Sequence, residues 1–226
     1  MIKLRQLTKL YKPNTYALHS VNLHIKDKEF VSIIGQSGTG KTTLIRMLTA
    51  EEKPTNGELI VGGWDISRIH RRDIPILRRQ IGVIYQDFKL LPQKTIFENI
   101  AFALQVCGTS RSKIMKVVPQ VLRIVGLESK ISRYPWQLSG GEQQRVGIAR
   151  SLIHHPKILL ADEPTGNLDP DLSAEIMRLF QQFNQVGVAV LVASHDLSLI
   201  MSLQHRIISL DQGRIVSDGL EGKQHG

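Results

Sequence analysis

A glycine-rich segment, residues 35–42, has the composition and spacing of a phosphate-binding loop, G-x-x-x-x-G-K-T. Its three glycines allow the backbone to turn so that successive N–H groups point towards a polyphosphate. Lys41 can reach the β- and γ-phosphates of a nucleotide, and the Thr42 hydroxyl is a suitable ligand for Mg²⁺. We therefore predict a nucleotide site here, with contacts from Gly35, Gln36, Ser37, Gly38, Thr39, Gly40, Lys41, Thr42 and Thr43.

The residues on both sides of this phosphate-binding loop support that interpretation. Residues 29–34 form a short apolar, β-branched run typical of a buried strand, and residues 42–48 are a good start of a helix. A helix in this position turns the positive end of its dipole towards the bound anion. The alternative is a glycine-rich turn that binds nothing, and the order of strand, loop and helix disfavours it.

A pair of carboxylates, Asp162 and Glu163, follows directly after the apolar run 158–161. The end of a strand in the same sheet places Asp162 beside the phosphate-binding loop, where it can hold Mg²⁺ directly or through water. Glu163 is then placed to polarise an attacking water as a general base. The alternative, a strand that merely runs into an acidic turn, is disfavoured by the phosphate-binding loop upstream.

A second segment suited to phosphate, residues 138–142, reads L-S-G-G-E. Ser139 and Glu142 form a capping box that predicts the start of a helix, and Gly140 and Gly141 leave its N–H groups accessible to a phosphate. Only the first loop carries the lysine. The simplest interpretation is that Ser139, Gly140 and Gly141 complete the nucleotide site of another molecule.

The elements that must position these residues alternate between strands and helices, which predicts an α/β fold with a mostly parallel sheet covered on both faces. Residues 2–10 and 17–26 predict two additional N-terminal strands, an antiparallel β part. Residues 87–156 contain no clear strand and predict an inserted helical subdomain. The chain then reads as a single domain with a nucleotide-binding core at 1–86 and 157–220, a helical subdomain at about 87–156 and a polar tail at 221–226.

Local signals predict three helix boundaries. Thr95 with Glu98 forms a capping box, and Asp169 followed by Pro170 marks a helix that should end near Gly187. Another helix is predicted over 112–125, with Pro119 either kinking it or marking a later start.

The formal net charge of +9 favours anionic partners, either nucleic acid or the inner leaflet of a membrane. The densest basic cluster lies in residues 68–79, and a solvated helix face explains it equally well. Aromatic residues make up only 5% and do not interleave with this cluster, so a nucleic-acid partner is not expected. The single cysteine, Cys107, excludes an internal disulfide and suits a reducing compartment.

The N-terminal residues lack the apolar segment of a signal peptide. The longest apolar run, 188–193, is far shorter than the roughly 20 residues that cross a bilayer. We therefore expect a soluble protein, which can still bind to a membrane protein.

Taken together, the motifs and their order resemble those of ABC-type ATPases over nearly the whole sequence. The resemblance assigns residues 35–42 to the Walker A loop, 138–142 to the signature segment, 158–163 to Walker B and 167–169 to the D-loop. It implies that Tyr11 stacks on adenine, that Gln86 is the Q-loop glutamine near the reacting phosphate and metal, and that His195 contacts the γ-phosphate. With Glu163, Gln86 and His195 form the implied catalytic set, and the implied metal ligands are Thr42, Gln86 and Asp162.

The same resemblance implies a P-loop NTPase fold and a homodimer that holds two ATP molecules, with Mg²⁺, head to tail between Walker A and the signature segment of opposite subunits. ATP closes such a dimer and hydrolysis opens it. The resemblance further implies that the Gln86 loop and the helical subdomain pass this movement to an integral membrane partner, so we expect the protein peripherally on the cytoplasmic face of the plasma membrane.

Within the family, residues 85–92 and 95–104 resemble the ATPases of cell-division complexes, which control peptidoglycan hydrolases instead of moving a solute. The nearest alternative is the ATPase of a lipoprotein-release or macrolide-type exporter, which shares the G-N-L-D sequence at 166–169. A more distant alternative is a soluble ABC protein acting on nucleic acid or ribosomes. Those proteins carry two cassettes or a long coiled coil, and this sequence has neither.

Overall fold

The computed structural model describes residues 1–166, 168–203 and 205–220. Its strands are β1 Ile2–Tyr11, β2 Thr15–Ile25, β3 Phe30–Ile34, β4 Asn56–Val61, β5 Trp64–Asp65, β6 Ile81–Ile84, β7 Ile158–Asp162, β8 Ala189–Ser194, β9 Arg206–Asp211 and β10 Arg214–Leu220. Its helices are α1 Lys41–Leu48, α2 Ile74–Arg78, α3 Ile96–Val106, α4 Arg111–Ile124, α5 Gly140–Leu152, α6 Pro170–Gln185 and α7 Leu197–Met201.

The main sheet has six strands in the order β10-β9-β3-β8-β7-β6. All its pairings are parallel except that of β9 with β10, which confirms the predicted α/β class with a mostly parallel sheet. Every residue of β7 and of β8 is buried, as expected for apolar strands covered on both faces. The carboxyl ends of β3, β6, β7 and β8 lie at one edge, and the loops that follow these strands meet there.

The second sheet is antiparallel, with the order β2-β1-β4-β5, which confirms the two predicted N-terminal strands. Its apolar residues share one continuous core with α1 and one face of the main sheet, represented by Ile2, Leu44 and Ile208. This core fixes the helix that begins at the phosphate-binding loop.

Helices α3, α4 and α5 have a hydrophobic core of their own, in which Ile100, Val118 and Val146 are completely buried. No strand lies between β6 and β7, and all of that segment is described. Helix α4 runs without interruption through Pro119, so the alternative of a later helix start is wrong. Proline removes one backbone hydrogen bond, but the apolar face of Ile114, Val118 and Leu122 holds the helix against α3 and α5.

The local capping signals are confirmed. Both hydrogen bonds of the Thr95–Glu98 capping box are present. Asp169 accepts a hydrogen bond from the backbone N–H of Leu172, and Gly187 follows the end of α6 with a φ of 100°. The short elements β5, α2 and α7 were not predicted, because two to five residues are too few to show a periodic pattern.

The basic cluster of residues 68–79 divides into two groups. Arg78 donates to the carbonyl oxygen of Thr49 at 3.0 Å, and Arg79 donates to that of Val106 at 3.1 Å. These guanidinium groups therefore satisfy carbonyls at the carboxyl ends of α1 and α3. Like these two arginines, the remaining members, including His70 and Arg71, are exposed. Within the described residues, no helix is long and apolar enough to cross a membrane.

Candidate nucleotide site

A cavity of about 400 Å³ lies where the loops after β3, β6, β7 and β8 meet. The predicted residues that line it are Gln36, Ser37, Gly38, Gly40, Lys41, Thr42, Thr43, Gln86, Glu163 and His195. Ala17, from β2, also lines the cavity and was not predicted, since an alanine in a strand carries no sequence signal.

The phosphate-binding loop has the shape that an anion requires. Gly40 has a φ of 108°, and a β-carbon built on it would lie only 2.2 Å from the carbonyl oxygen of Ala17. Only glycine fits that conformation and that space. Gly40 is also the N-cap of α1 and has no side chain that could cap it, so the first turn of the helix, residues 41–43, lies open to the cavity.

Lys41 is buried at the centre of this loop. Its ammonium donates hydrogen bonds to the carbonyl oxygens of Gly35 at 2.7 Å and Gln36 at 3.1 Å, and lies 3.4 Å from a carboxylate oxygen of Glu163. The positive charge is therefore held in place before any phosphate arrives.

Two of the predicted contacts, Gly35 and Thr39, do not line the cavity. The Thr39 hydroxyl donates to the carbonyl oxygen of Gln36 at 3.0 Å, which closes the loop from behind. A β-carbon on Gly35 would lie 2.3 Å from the carbonyl oxygen of Leu210, so this position packs directly against β9. Both residues shape the loop from outside the cavity.

Oxygen ligands of the kind that Mg²⁺ prefers lie together beside Lys41. The Thr42 hydroxyl is 3.2 Å from a carboxylate oxygen of Asp162, which is buried and lies behind the cavity, whereas Thr42 and Gln86 line it. Burial raises the pKa of Asp162, as does the neighbouring Glu163 carboxylate, while the Thr42 hydrogen bond acts in the opposite direction. In the described part of the chain this buried carboxylate has no cationic hydrogen-bond partner, an arrangement that fits a bound metal ion.

The described residues contain no cluster of three or more His, Cys, Asp or Glu that could hold a metal by itself. This composition suits Mg²⁺, which usually binds one or two protein oxygens together with substrate phosphates and water.

Glu163 and His195 form a pair at the open side of the cavity. The Nδ1 atom of His195 is 2.7 Å from Oε2 of Glu163, and the backbone N–H of His195 donates to the same oxygen at 3.3 Å. The Glu163 side chain is only 13% exposed, and its backbone has a φ of 50°. A left-handed conformation costs a non-glycine residue about 1 kcal/mol, and such strain is common where a side chain must be aimed.

Tyr11 lies near the cavity but does not line it. Its hydroxyl donates to a carboxylate oxygen of Glu52 at 2.5 Å, and the same oxygen is 2.9 Å from the ammonium of Lys9. Burial raises the pKa of the Tyr11 hydroxyl, as does the carboxylate of Glu52, and a contact with the Thr43 hydroxyl acts in the opposite direction. The ring is thus held beside the first turn of α1. Lys9 and Glu52 were not predicted, since nothing in their local sequence marks them.

The signature segment lies outside the cavity. The Ser139–Glu142 capping box is present at the start of α5, and Glu142 also forms an ion pair with Lys130. A β-carbon built on Gly140 would contact nothing within 4 Å, so the helix N-terminus is open there. Ser139, Gly140 and Gly141 do not line the cavity that contains Lys41. Of the predicted D-loop, Asn167 lies outside the described residues, as does the tail 221–226.

Comparison with known proteins identifies the family of this chain. Residues 18–166 match the family model described as ABC transporter. The chain is 46% identical over 223 residues to the cell division ATP-binding protein FtsE of Streptococcus pneumoniae D39, covering 99% of this chain and 97% of the relative. It is 48% identical over 223 residues to FtsE of Mycobacterium tuberculosis H37Rv, with 98% and 97% covered.

A solved structure of similar shape is the dimeric post-hydrolysis state of the ATP-binding cassette MJ0796 bound to ADP and Pi. It superposes with a TM-score of 0.90 at 37% identity and covers 97% of this chain and 98% of its own. The predicted P-loop NTPase fold, ATP binding and ATPase activity are therefore confirmed. The chain belongs to the ABC transporter family of ATPases, and within it to the group of the cell-division ATP-binding proteins FtsE.

Proposed function

We propose that this chain is the ATP-hydrolysing subunit of a cell-division membrane complex, and that it works as a head-to-tail homodimer with Mg²⁺ and ATP in two shared sites. One observation carries the proposal. The cavity contains Lys41, Glu163 and His195, but the second helix N-terminus suited to a phosphate, at Ser139, lies outside it. Each chain thus holds the two halves of a nucleotide site in different places, and a second copy can join them.

The proposed chemistry assigns each side chain a step. Lys41 and the N–H groups at the start of α1 bind the phosphates, and Glu163 accepts a proton from the water that attacks the γ-phosphorus. His195 donates its Nδ1–H to the Glu163 carboxylate, and its Nε2 atom would donate to the γ-phosphate when it also carries a proton. Thr42, Gln86 and Asp162 would hold Mg²⁺, which neutralises phosphate charge when bound.

The signature segment supplies the remaining contacts from the second copy. Ser139, Gly140 and Gly141 present a helix N-terminus that suits the γ-phosphate. ATP then touches both chains, whereas ADP lacks the group that joins them. Loss of the γ-phosphate therefore weakens the dimer and opens it.

We further propose that the partner is an integral membrane protein of the FtsX kind, and that the complex acts on peptidoglycan hydrolases from the cytoplasmic face of the membrane. The relatives named FtsE support the division role. A surface patch supports the docking. The side chains of Ile76, Phe102 and Val106 are 47%, 49% and 51% exposed, and the bond from Arg79 to Val106 brings α2 and α3 together.

Affinity capture from native membranes tests this proposal. A tagged Glu163→Gln protein, trapped with ATP, should retain a membrane protein with four transmembrane helices and a large extracytoplasmic domain. Added to the trapped protein, Phe102→Glu should abolish that capture, and as a single change it should leave ATP hydrolysis unreduced. Ile124→Glu, on an exposed residue at the end of α4, should change neither the capture nor the hydrolysis. Recovery of a lipoprotein- or drug-export permease, or of ribosomes, would contradict the division role.

A further inference from the structure

Helix α5 begins at the signature segment and carries two side chains that reach the loops of the chain's own cavity. The first is Gln144, which is completely buried. Its Nε2 atom donates a hydrogen bond of 2.6 Å to the carbonyl oxygen of Pro164. Because Pro164 directly follows Glu163, this bond fixes the backbone that aims the Glu163 carboxylate.

The second side chain is that of Arg150, nearer the carboxyl end of α5. Its Nη1 atom donates to the carbonyl oxygen of Lys89 at 2.7 Å, and Nη2 donates to that of Phe88 at 2.9 Å. Phe88 and Lys89 have φ values of 56° and 44°, in the left-handed region that glycine favours. The guanidinium therefore holds two unfavourable backbone conformations in the loop that carries Gln86.

Arg150 is not part of an ion pair within the described residues. Burial lowers the pKa of Arg150, because the half-buried guanidinium has lost part of its contact with water. What it gains there is a pair of backbone carbonyls, which is the expected arrangement for a residue that holds a loop.

The two loops that α5 holds are themselves neighbours. A β-carbon built on Gly166 would lie 3.4 Å from the Nε2 atom of Gln86. The far end of α5 packs directly against the strand before Gln86, since a β-carbon on Gly82 would lie 2.3 Å from the carbonyl oxygen of Ser151. A helix packed this closely cannot move relative to β6 without moving the loop that follows it.

We propose that Gln144 and Arg150 are positioning residues that couple the signature end of α5 to the loops of Gln86 and Glu163 in the same chain. The inference rests on the proposed dimer, in which Ser139 contacts the partner's nucleotide. Occupation of the partner's site then sets the hydrolytic geometry of the chain's own site. Hydrolysis at one site then depends on occupation of the other, and Gln144 and Arg150 are the side chains that carry this dependence.

Steady-state kinetics of the full chain tests the coupling. Arg150→Met and Gln144→Leu should lower kcat about tenfold, the middle of the range for residues that carry coupling. The Kd of the monomer for ATP should stay within about twofold, and the Hill coefficient should fall from above one to one. Arg150→Lys keeps the positive charge on a single donor nitrogen, without the fork that reaches both carbonyl oxygens, and should recover part of kcat. The matched controls Arg111→Met and Gln120→Leu change exposed side chains of α4 and should behave like the unaltered protein.

A second variant covers the case in which the buried changes impair folding. Lys89→Gly changes an exposed residue and makes the left-handed conformation of the Gln86 loop favourable, so Arg150→Met combined with Lys89→Gly should regain part of the kcat that Arg150→Met alone loses. Gln212→Gly is the matched control, because this exposed residue has a φ of 43° in the turn between β9 and β10. An unchanged kcat and Hill coefficient in Arg150→Met, or a kcat that Lys89→Gly does not restore, would overturn the coupling. A failure of Glu163→Gln to dimerise with ATP would instead overturn the proposed dimer.

Discussion

Replacement of Glu163 by glutamine should stop hydrolysis while preserving the site. Glutamine has the same shape and can still hold the Nδ1 side of His195, which lies 2.7 Å from the carboxylate. It cannot accept a proton from water, and general-base catalysis contributes about 10²- to 10⁴-fold to rate. We therefore expect kcat to fall by this factor, which corresponds to about 3 to 5 kcal/mol in the activation free energy.

The same change should leave ATP binding at least as tight as in the unaltered protein. The carboxylate lies 3.4 Å from the Lys41 ammonium, and its negative charge also opposes an incoming γ-phosphate. Phosphate release measures kcat, and isothermal titration calorimetry measures the Kd for ATP. Glu175→Gln, on the exposed face of α6, is the matched control. Hydrolysis at the unaltered rate in Glu163→Gln would refute the general-base assignment.

Two further predictions concern the metal ligand and the aromatic residue. Asp162→Asn should raise the free energy of unfolding of the nucleotide-free protein by about 1 kcal/mol at pH 7 while abolishing hydrolysis. Burial raises the pKa of Asp162, so the ionised carboxylate destabilises the folded state at pH 7. Below about pH 4 the carboxyl is neutral in both the folded and the unfolded state, and the stability gained from asparagine should vanish. Urea unfolding at both pH values checks this, and a less stable variant at pH 7 would contradict it. Tyr11→Ala should weaken ATP binding about tenfold, the loss expected for one stacked base, and leave kcat at saturating ATP unchanged. Tyr11→Phe keeps the ring and should bind ATP normally. Equal affinity for ATP in these two variants and the unaltered protein would contradict the stacking role.

Signals carried by neighbouring residues allowed much of the fold to be predicted. The caps at Thr95, Ser139 and Asp169 each depend on a bond to a residue three positions away, so the sequence shows both partners. The strands that end at the cavity are apolar runs whose carboxyl ends must share an edge in a parallel sheet, which explains why Asp162 was predicted beside Thr42.

What the sequence does not show are contacts between distant residues of ordinary type. Tyr11 bonds to Glu52 and Arg150 to Phe88, pairs that are 41 and 62 positions apart. Neither Glu52 nor Arg150 differs locally from a solvated charge, and only the tertiary fold places them. The continuous α4 has the same explanation, since burial of its apolar face outweighs the hydrogen bond that Pro119 removes.

The shared site is the central claim, and the molar mass of the ATP-trapped protein tests it most directly. Light scattering with ATP and Mg²⁺ should give twice the 25.4 kDa of one chain for Glu163→Gln. The double variant with Ser139→Arg should remain at 25.4 kDa while its Kd for ATP stays unchanged, because the arginine blocks only the helix end that reaches the partner. A full-mass dimer in the double variant, or an equal loss of ATP binding and dimerisation, would contradict the account.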